Sequence, residues 1–146
     1  MSQKIVLMSS PEYFKVEYSI NPWMVPGTNV DLELAKDQWN GLKRTIEEAG
    51  AEVKVVPPSE NHPDLVFTAN SGIIRGNDVL IANFKFEERR GEEEIYIKWF
   101  KENEYNVSRI PPDYKFEGRG DAFVYGDYLV GSYGCLLYTS DAADDC

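Results

Sequence analysis

The chain has 146 residues, 42% hydrophobic and 13% aromatic, the composition of one folded domain with its own core and not of a disordered segment. Its 15 Lys and Arg against 25 Asp and Glu give a formal net charge of -10, which repels nucleic-acid phosphates and sets polyanion partners aside. No basic region followed by a long apolar run opens the chain, and Lys4, Lys15 and Glu17 interrupt every candidate. The expectation is a cytoplasmic protein with no signal peptide, no membrane span and no nucleic-acid or membrane partner.

Ile5 to Met8 form a continuous apolar run closed by Ser9, Ser10 and Pro11, which predicts a short buried strand over 4–8, central in a sheet. From Glu12 to Val30, aromatic residues mix with Pro22, Pro26 and Gly27, too broken for a helix and too apolar for an idle linker. Long ordered loops are often binding elements, so Asn21-Pro22-Trp23-Met24 is a candidate lid with Asn21 a candidate substrate contact. The alternative is a loop whose aromatic side chains pack it onto the core.

Leu32, Ala35, Trp39, Leu42, Ile46 and Ala49 recur at steps of three and four, predicting a helix capped by Asn29 or Asp31 and ended by Gly50. A strand over 52–56 closes at Pro57-Pro58, and a polar loop containing His62 leads to a strand over Leu65-Val66-Phe67. Residues 72–74 and 79–82, joined at Gly76-Asn77-Asp78, read as a hairpin. A second helix is expected from about Glu92 to Asn103. After it come a strand over 107–110, a second Pro-Pro at Pro111-Pro112, the run Phe116-Glu117, and two strands around a Gly126-Asp127 turn. The charge run Glu87 to Glu94 reads as a solvated face favoured by the helix dipole.

These two halves repeat. Val53, Pro57 and Pro58 match Val107, Pro111 and Pro112 at a spacing of 54, while Pro63, Asp64, Phe67, Asp78 and Leu80 match Pro112, Asp113, Phe116, Asp127 and Leu129 at 49. Such a period suits units arranged around an axis or along a solenoid. At that spacing Thr68 aligns with Glu117 and Asn70 with Arg119, and equivalent segments of a radial array line one pocket.

The only cysteines, Cys135 and Cys146, have no disulfide or zinc spacing, and Asp141, Asp144 and Asp145 lack calcium-loop spacing. No metal and no cofactor is expected. From Cys135 the sequence loses Gly, basic residues and period together, so 135–146 is expected to be a foreign or out-of-frame tail behind a domain over 1–134.

Three motifs carry a resemblance. Glu12-Tyr13-Phe14 with Ile20-Asn21-Pro22-Trp23-Met24, then Pro63-Asp64-Leu65-Val66-Phe67-Thr68-Ala69-Asn70, then Phe116-Glu117-Gly118-Arg119-Gly120-Asp121, resemble the N-terminal half of the guanidino-group modifying enzymes. That group includes dimethylarginine dimethylaminohydrolase, arginine deiminase and the amidinotransferases, and the dimethylarginine dimethylaminohydrolase-like branch is the most similar. The resemblance implies an α/β fold, an incomplete α/β propeller holding two and a half of five ββαβ modules. It implies a cysteine that attacks the guanidinium carbon, a histidine that moves protons and carboxylates that hold the substrate. Glu117 matches the family's catalytic Glu, and Asn70 stands where many members carry an Asp.

A guanidinium offers donors only, so a carboxylate taking two charge-assisted hydrogen bonds, about 1.5–3 kcal/mol each, is its natural partner. Glu117 meets that need. The Asn70 amide gives only about 0.5–1.5 kcal/mol for a neutral hydrogen bond, which weighs against free arginine and leaves open a modified guanidine or a ureido compound. Glu117 also has a plain reading as a solvated strand-end carboxylate, and Asn70 one as a turn residue. Asp121 is a candidate substrate contact or a support behind the site, and Asp64 is read as a local backbone cap. Arg119-Gly120-Asp121 spells an adhesion tripeptide, which the lack of a secretory context argues against.

The family's catalytic His and Cys lie C-terminal to the matched region. His62 reads as an ordinary surface histidine and Cys135 as a poor nucleophile, so the chain by itself is expected to be inactive. The leading expectation is the N-terminal part of a hydrolase of C–N bonds in a guanidino compound. The alternatives are a non-catalytic half-propeller that binds a cationic small molecule, and an amidinotransferase fragment. Unpaired strand edges make a homo-oligomer an expected state.

Overall fold

The computed structural model describes residues 4–131; Cys135, Cys146 and the tail expected to be foreign lie outside the described residues. The chain divides into two units, Met1–Thr68 and Ala69–Cys146.

In the first unit, β1 (Ile5–Ser9) pairs in parallel with β2 (Glu52–Val56), in register from Ile5↔Glu52 to Ser9↔Val56. Parallel neighbours need a long crossover, which α1 (Leu32–Glu48) provides. Of the two candidate caps, Asp31 does the work: its carboxylate accepts the Leu34 N–H at 3.0 Å. Gly50, with φ +86, follows the helix in a left-handed conformation. The amphipathic stripe of α1 is only partly covered, with no residue of the helix buried and Leu34 and Leu42 more than half exposed.

Among the described residues the first sheet has only these two strands, so β1 is not central. Only Met8 and Ser9 of β1 are buried. An apolar run reports a dry environment without counting the strands that make it dry. The stretch Leu65-Val66-Phe67 is not a strand either. Pro63 opens a 3-10 turn over Pro63–Val66 that buries Pro63, Asp64 and Leu65, in keeping with proline's fixed φ at a helical first position.

The loop after Pro11–Tyr13, a short 3-10 turn, is tied down by two contacts. Tyr18 donates its hydroxyl to Asp64 Oδ2 at 2.9 Å, and Phe14 meets Phe67 edge-on at 5.6 Å between ring centroids. Phe14 is thus held by its ring and Tyr18 by its hydroxyl, and Asp64, read from the sequence as a local backbone cap, takes a side-chain hydrogen bond from a residue 46 positions earlier. Trp23 stands out into solvent, 71% exposed.

The second unit contains one complete ββαβ unit. β3 (Gly72–Arg75) and β4 (Asp78–Ile81) form an antiparallel hairpin around Gly76-Asn77, α2 (Glu87–Glu102) follows, and β5 (Asn106–Arg109) pairs in parallel with β4, giving the order β3-β4-β5. Phe84, Tyr96 and Phe100 fill the space beneath α2, and Ile73, Phe116 and Ala122 form a second apolar cluster. A further antiparallel hairpin, β6 (Ala122–Tyr125) and β7 (Tyr128–Gly131), turns at Gly126-Asp127. Phe116, expected in a strand, makes a single bridge to Asn83. Among the described residues, no helix is long and apolar enough to cross a membrane.

The repeat is real, with one correction. β3 and β4 begin at Gly72 and Asp78, β6 and β7 at Ala122 and Tyr128, a spacing of 50 where the sequence match gave 49. The extra residue falls between Phe116 and Ala122. Hairpin register therefore sets Asn70 opposite Gly120, not Arg119.

Gly118 has φ +60, and a Cβ there would lie 2.7 Å from Ala69 O, 2.8 Å from Gly72 N and 2.9 Å from the Asn70 carbonyl carbon. All three are backbone atoms of this unit and cannot swing aside. Gly118→Ala is expected to lower stability by about 2–4 kcal/mol, combining left-handed strain with overpacking, read as a drop in chemical-denaturation midpoint with unchanged slope. Exposed Tyr125, Tyr128, Leu129 and Val130 on the second hairpin lead to a second expectation, that the chain self-associates as its concentration rises. Sedimentation velocity across a concentration series checks it, and a single monomer species throughout would refute it.

Candidate functional site

The second unit brings Asn70, Glu117 and Asp121 together. Glu117 is buried, 6% exposed, immediately before a 3-10 turn over Gly118–Gly120. Its backbone is fixed at both ends. The Glu117 N–H donates to Asp121 Oδ2 at 2.7 Å, while its carbonyl accepts from Gly120 N at 3.1 Å and from Asn70 Nδ2 at 3.2 Å. Asp121, also buried, therefore acts as a clasp on the Glu117 segment. That burial withdraws Asp121 from solvent, so Arg119-Gly120-Asp121 is not displayed as an adhesion tripeptide.

Asn70 lies in the 3-10 turn over Thr68–Ser71, preceding β3 as Gly118–Gly120 precedes β6. Both ends of its carboxamide are engaged: Nδ2 donates to the Glu117 carbonyl, and Oδ1 accepts from Arg89 Nη1 at 3.3 Å. The plain turn reading of Asn70 is thus too weak, since the side chain bridges two other elements.

Arg89 and Glu92 were not expected here. The run 87–94 reads in the sequence as a solvated face, yet Arg89 is 5% exposed and Glu92 fully buried. Arg89 Nε and Nη2 donate to Glu92 Oε1 and Oε2, each at 2.8 Å, the parallel pair that a guanidinium and a carboxylate form best. The Phe84 ring lies under the guanidinium at 4.4 Å. One turn on, Tyr96 is buried, and burial, with the Glu92 charge adding and Arg89 opposing, drives its phenol far above the usual range. The helix begins at Glu87, not near Glu92, because apolar periodicity gives no sign of a first turn built from charges. A signal does exist: Arg89, Glu92, Tyr96 and Phe100 follow at steps of three, four and four, so the two charges continue the apolar stripe backwards. Glu87 and Glu88, exposed in the first turn, keep the dipole role.

The remaining predicted residues lie in the first unit. Asn21 Oδ1 accepts the N–H groups of Trp23 and Met24 at 3.0 and 3.1 Å, so this oxygen forms a local turn. His62 is half-buried, not freely exposed; its Nδ1 lies 2.9 Å from Ser59 Oγ, and burial lowers its pKa.

Three buried carboxyl groups, Glu92, Glu117 and Asp121, accompany one buried guanidinium, Arg89, among the described residues of this unit. No group of three potential metal-ligating side chains occurs among the described residues.

Comparison with known proteins places this geometry. The family described as N,N dimethylarginine dimethylhydrolase, eukaryotic, matches residues 21–130. The uncharacterized protein ZK1307.1 of Caenorhabditis elegans is 46% identical over 90% of this chain and 47% of its own length. The bifunctional arginine dihydrolase/ornithine cyclodeaminase ArgZ of Synechocystis is 42% identical over 88% of this chain and 19% of its own. A variant of the N-terminal domain of ArgZ, a cyanobacterial arginine dihydrolase, crystallised with its substrate, superposes with a TM-score of 0.82 at 38% identity, over 97% of this chain and 54% of that one. The chain spans less than half the length of both relatives. With its family match covering most of its length, it belongs to the N,N dimethylarginine dimethylhydrolase family, within the guanidino-group modifying enzymes.

Proposed function

We propose that the second unit supplies the carboxylate side of a site for the guanidinium of arginine or an N-methylated arginine, and that the whole protein is a hydrolase of a C–N bond in that group. The observation that carries this reading is Glu117: a buried carboxylate whose backbone N–H and C=O are both held, by Asp121 and by Asn70. With its backbone held on both sides, Glu117 has a fixed starting point for its side chain, so less chain freedom remains to be lost when a planar donor arrives. Glu117 takes the position of the catalytic Glu in the resemblance, Asn70 contacts or frames the guanidinium, and Asp121 supports Glu117.

In such a hydrolase a thiolate adds to the guanidinium carbon, an amine leaves with a proton, and water releases the product from the covalent thiouronium-type intermediate. Residues 4–131 contain no cysteine, so the nucleophile is assigned to no residue of the described chain. The ββαβ unit and the second hairpin fit successive blades of a propeller, with the repeated 3-10 turns at one end of the hairpins.

Calorimetric titration with L-arginine, Nω,Nω-dimethylarginine and citrulline, the uncharged ureido counterpart, tests the reading. The two guanidinium compounds are expected to bind and citrulline to bind at least about tenfold more weakly, the difference between a charge-assisted and a neutral hydrogen bond. Glu117→Gln should cost about 1.5–3 kcal/mol of arginine affinity with little change in melting temperature. Equal binding of all three compounds, or no effect of Glu117→Gln, would remove the guanidinium assignment.

A further inference from the structure

We infer that Glu92 is a positioning residue: through Arg89 it fixes the carboxamide of Asn70, and through Asn70 the backbone that presents Glu117. Its bearing on ligand affinity rests on the guanidinium reading above; its bearing on the geometry of the Glu117 segment does not.

Burial of an ion pair is a poor source of stability, because desolvation commonly cancels the attraction, and apolar replacements of like volume are often as stable or more so. Arg89 and Glu92 nevertheless occupy the face of α2 that Tyr96 and Phe100 continue, with Glu92 completely buried. The geometry shows what the pair does. Two parallel bonds from Nε and Nη2 fix the guanidinium plane against Glu92, and the Phe84 ring supports that plane from one side. The remaining terminal nitrogen, Nη1, is thereby aimed at Asn70 Oδ1.

A carboxamide can present either its oxygen or its nitrogen in a given direction. A positively charged donor at Oδ1 decides the matter, since the reversed amide would set N–H against N–H. With the oxygen turned to Arg89, Nδ2 faces the Glu117 carbonyl. A chain of hydrogen bonds thus runs from Glu92 to Arg89, Asn70 and the Glu117 peptide, where Asp121 closes the other side at the N–H. Gly118 leaves no room for an alternative path of this segment beside Ala69 and Asn70. Glu92 itself acts on Glu117 only through these intermediaries.

The test separates positioning from support of the fold. Arg89→Met combined with Glu92→Leu retains volume and removes both charges, so the melting temperature is expected to hold or rise. In the ligand-free protein, the nitrogen–proton NMR signals of the Asn70 side-chain amide and of the Glu117 and Gly120 backbone amides should shift. Hydrogen exchange at Glu117 and Gly120 should accelerate by about tenfold or more, and arginine affinity should fall about tenfold, as for loss of one charge-assisted bond. Glu92→Gln keeps one acceptor for Arg89 and should fall between wild type and the double variant on every readout; it carries the test if the double variant does not fold. A folded variant whose Asn70, Glu117 and Gly120 signals overlay those of wild type overturns the inference. Shifted signals in a protein whose wild type binds no guanidino compound would uphold the positioning pair and overturn only the guanidinium reading.

Discussion

Two backbone segments in the second unit lie closer together than any side chain between them would permit, and the candidate site depends on that approach. Gly118 makes it possible: at φ +60 and without a Cβ, it sits against the carbonyl of Ala69 and the amide of Gly72. The approach brings Asn70 within hydrogen-bond reach of the Glu117 carbonyl and leaves Asp121 to close the turn from the other side. Glu117 therefore does not project from the end of a strand. It stands before a 3-10 turn with both of its peptide groups tied.

Electrostatics then decides which way the tied groups face. Arg89 is held by two bonds to Glu92 and by the Phe84 ring, a combination that limits rotation of a side chain otherwise rich in rotamers. Such a pair contributes little net stability, and its value lies in direction, since the third donor reaches Asn70 along a line set by the other two. Tyr96 shares the buried region and stays neutral, its phenol disfavoured as an anion both by burial and by Glu92. Among the described residues of this unit, Glu92, Glu117 and Asp121 are buried together with one guanidinium, Arg89.

Much of this architecture was legible in the residues. The three-and-four spacing from Leu32 to Ala49 announces α1, Asp31 and Gly50 mark its ends, and Gly76-Asn77 and Gly126-Asp127 mark both hairpins, because each feature is a local preference that tertiary packing had no cause to override. The motif around Glu117 marked a segment that the structure buries and ties at both of its peptide groups, and the family resemblance followed from three motifs in order. What escaped depends on neighbours distant in sequence. Whether Ile5 to Met8 lie at the centre or edge of a sheet is set by how many strands arrive beside them. Leu65-Val66-Phe67 is as apolar as a strand, but Pro63 begins a 3-10 turn there. Arg89 and Glu92 look solvated because hydropathy scores each charge alone, whereas burial accepted them as a pair; only their register with Tyr96 and Phe100 betrays them.

The one-residue difference between the two repeats falls within the candidate site. Each hairpin is preceded by a 3-10 turn, Thr68–Ser71 before β3 and Gly118–Gly120 before β6. In the second repeat an additional residue between Phe116 and Ala122 makes room for a carboxylate before the turn and a second carboxylate after it, with Asp121 bound to the Glu117 amide. In the first repeat the shorter segment carries an amide, Asn70, which has no charge of its own and takes its orientation from a charged pair on α2. The two turns thus meet at the bond from the Asn70 carboxamide to the Glu117 carbonyl, although the hairpin register makes the two residues non-equivalent. The two turns differ by the extra residue of the second and by the charged pair on α2 that orients the amide of the first, while the two hairpins pair in the same pattern.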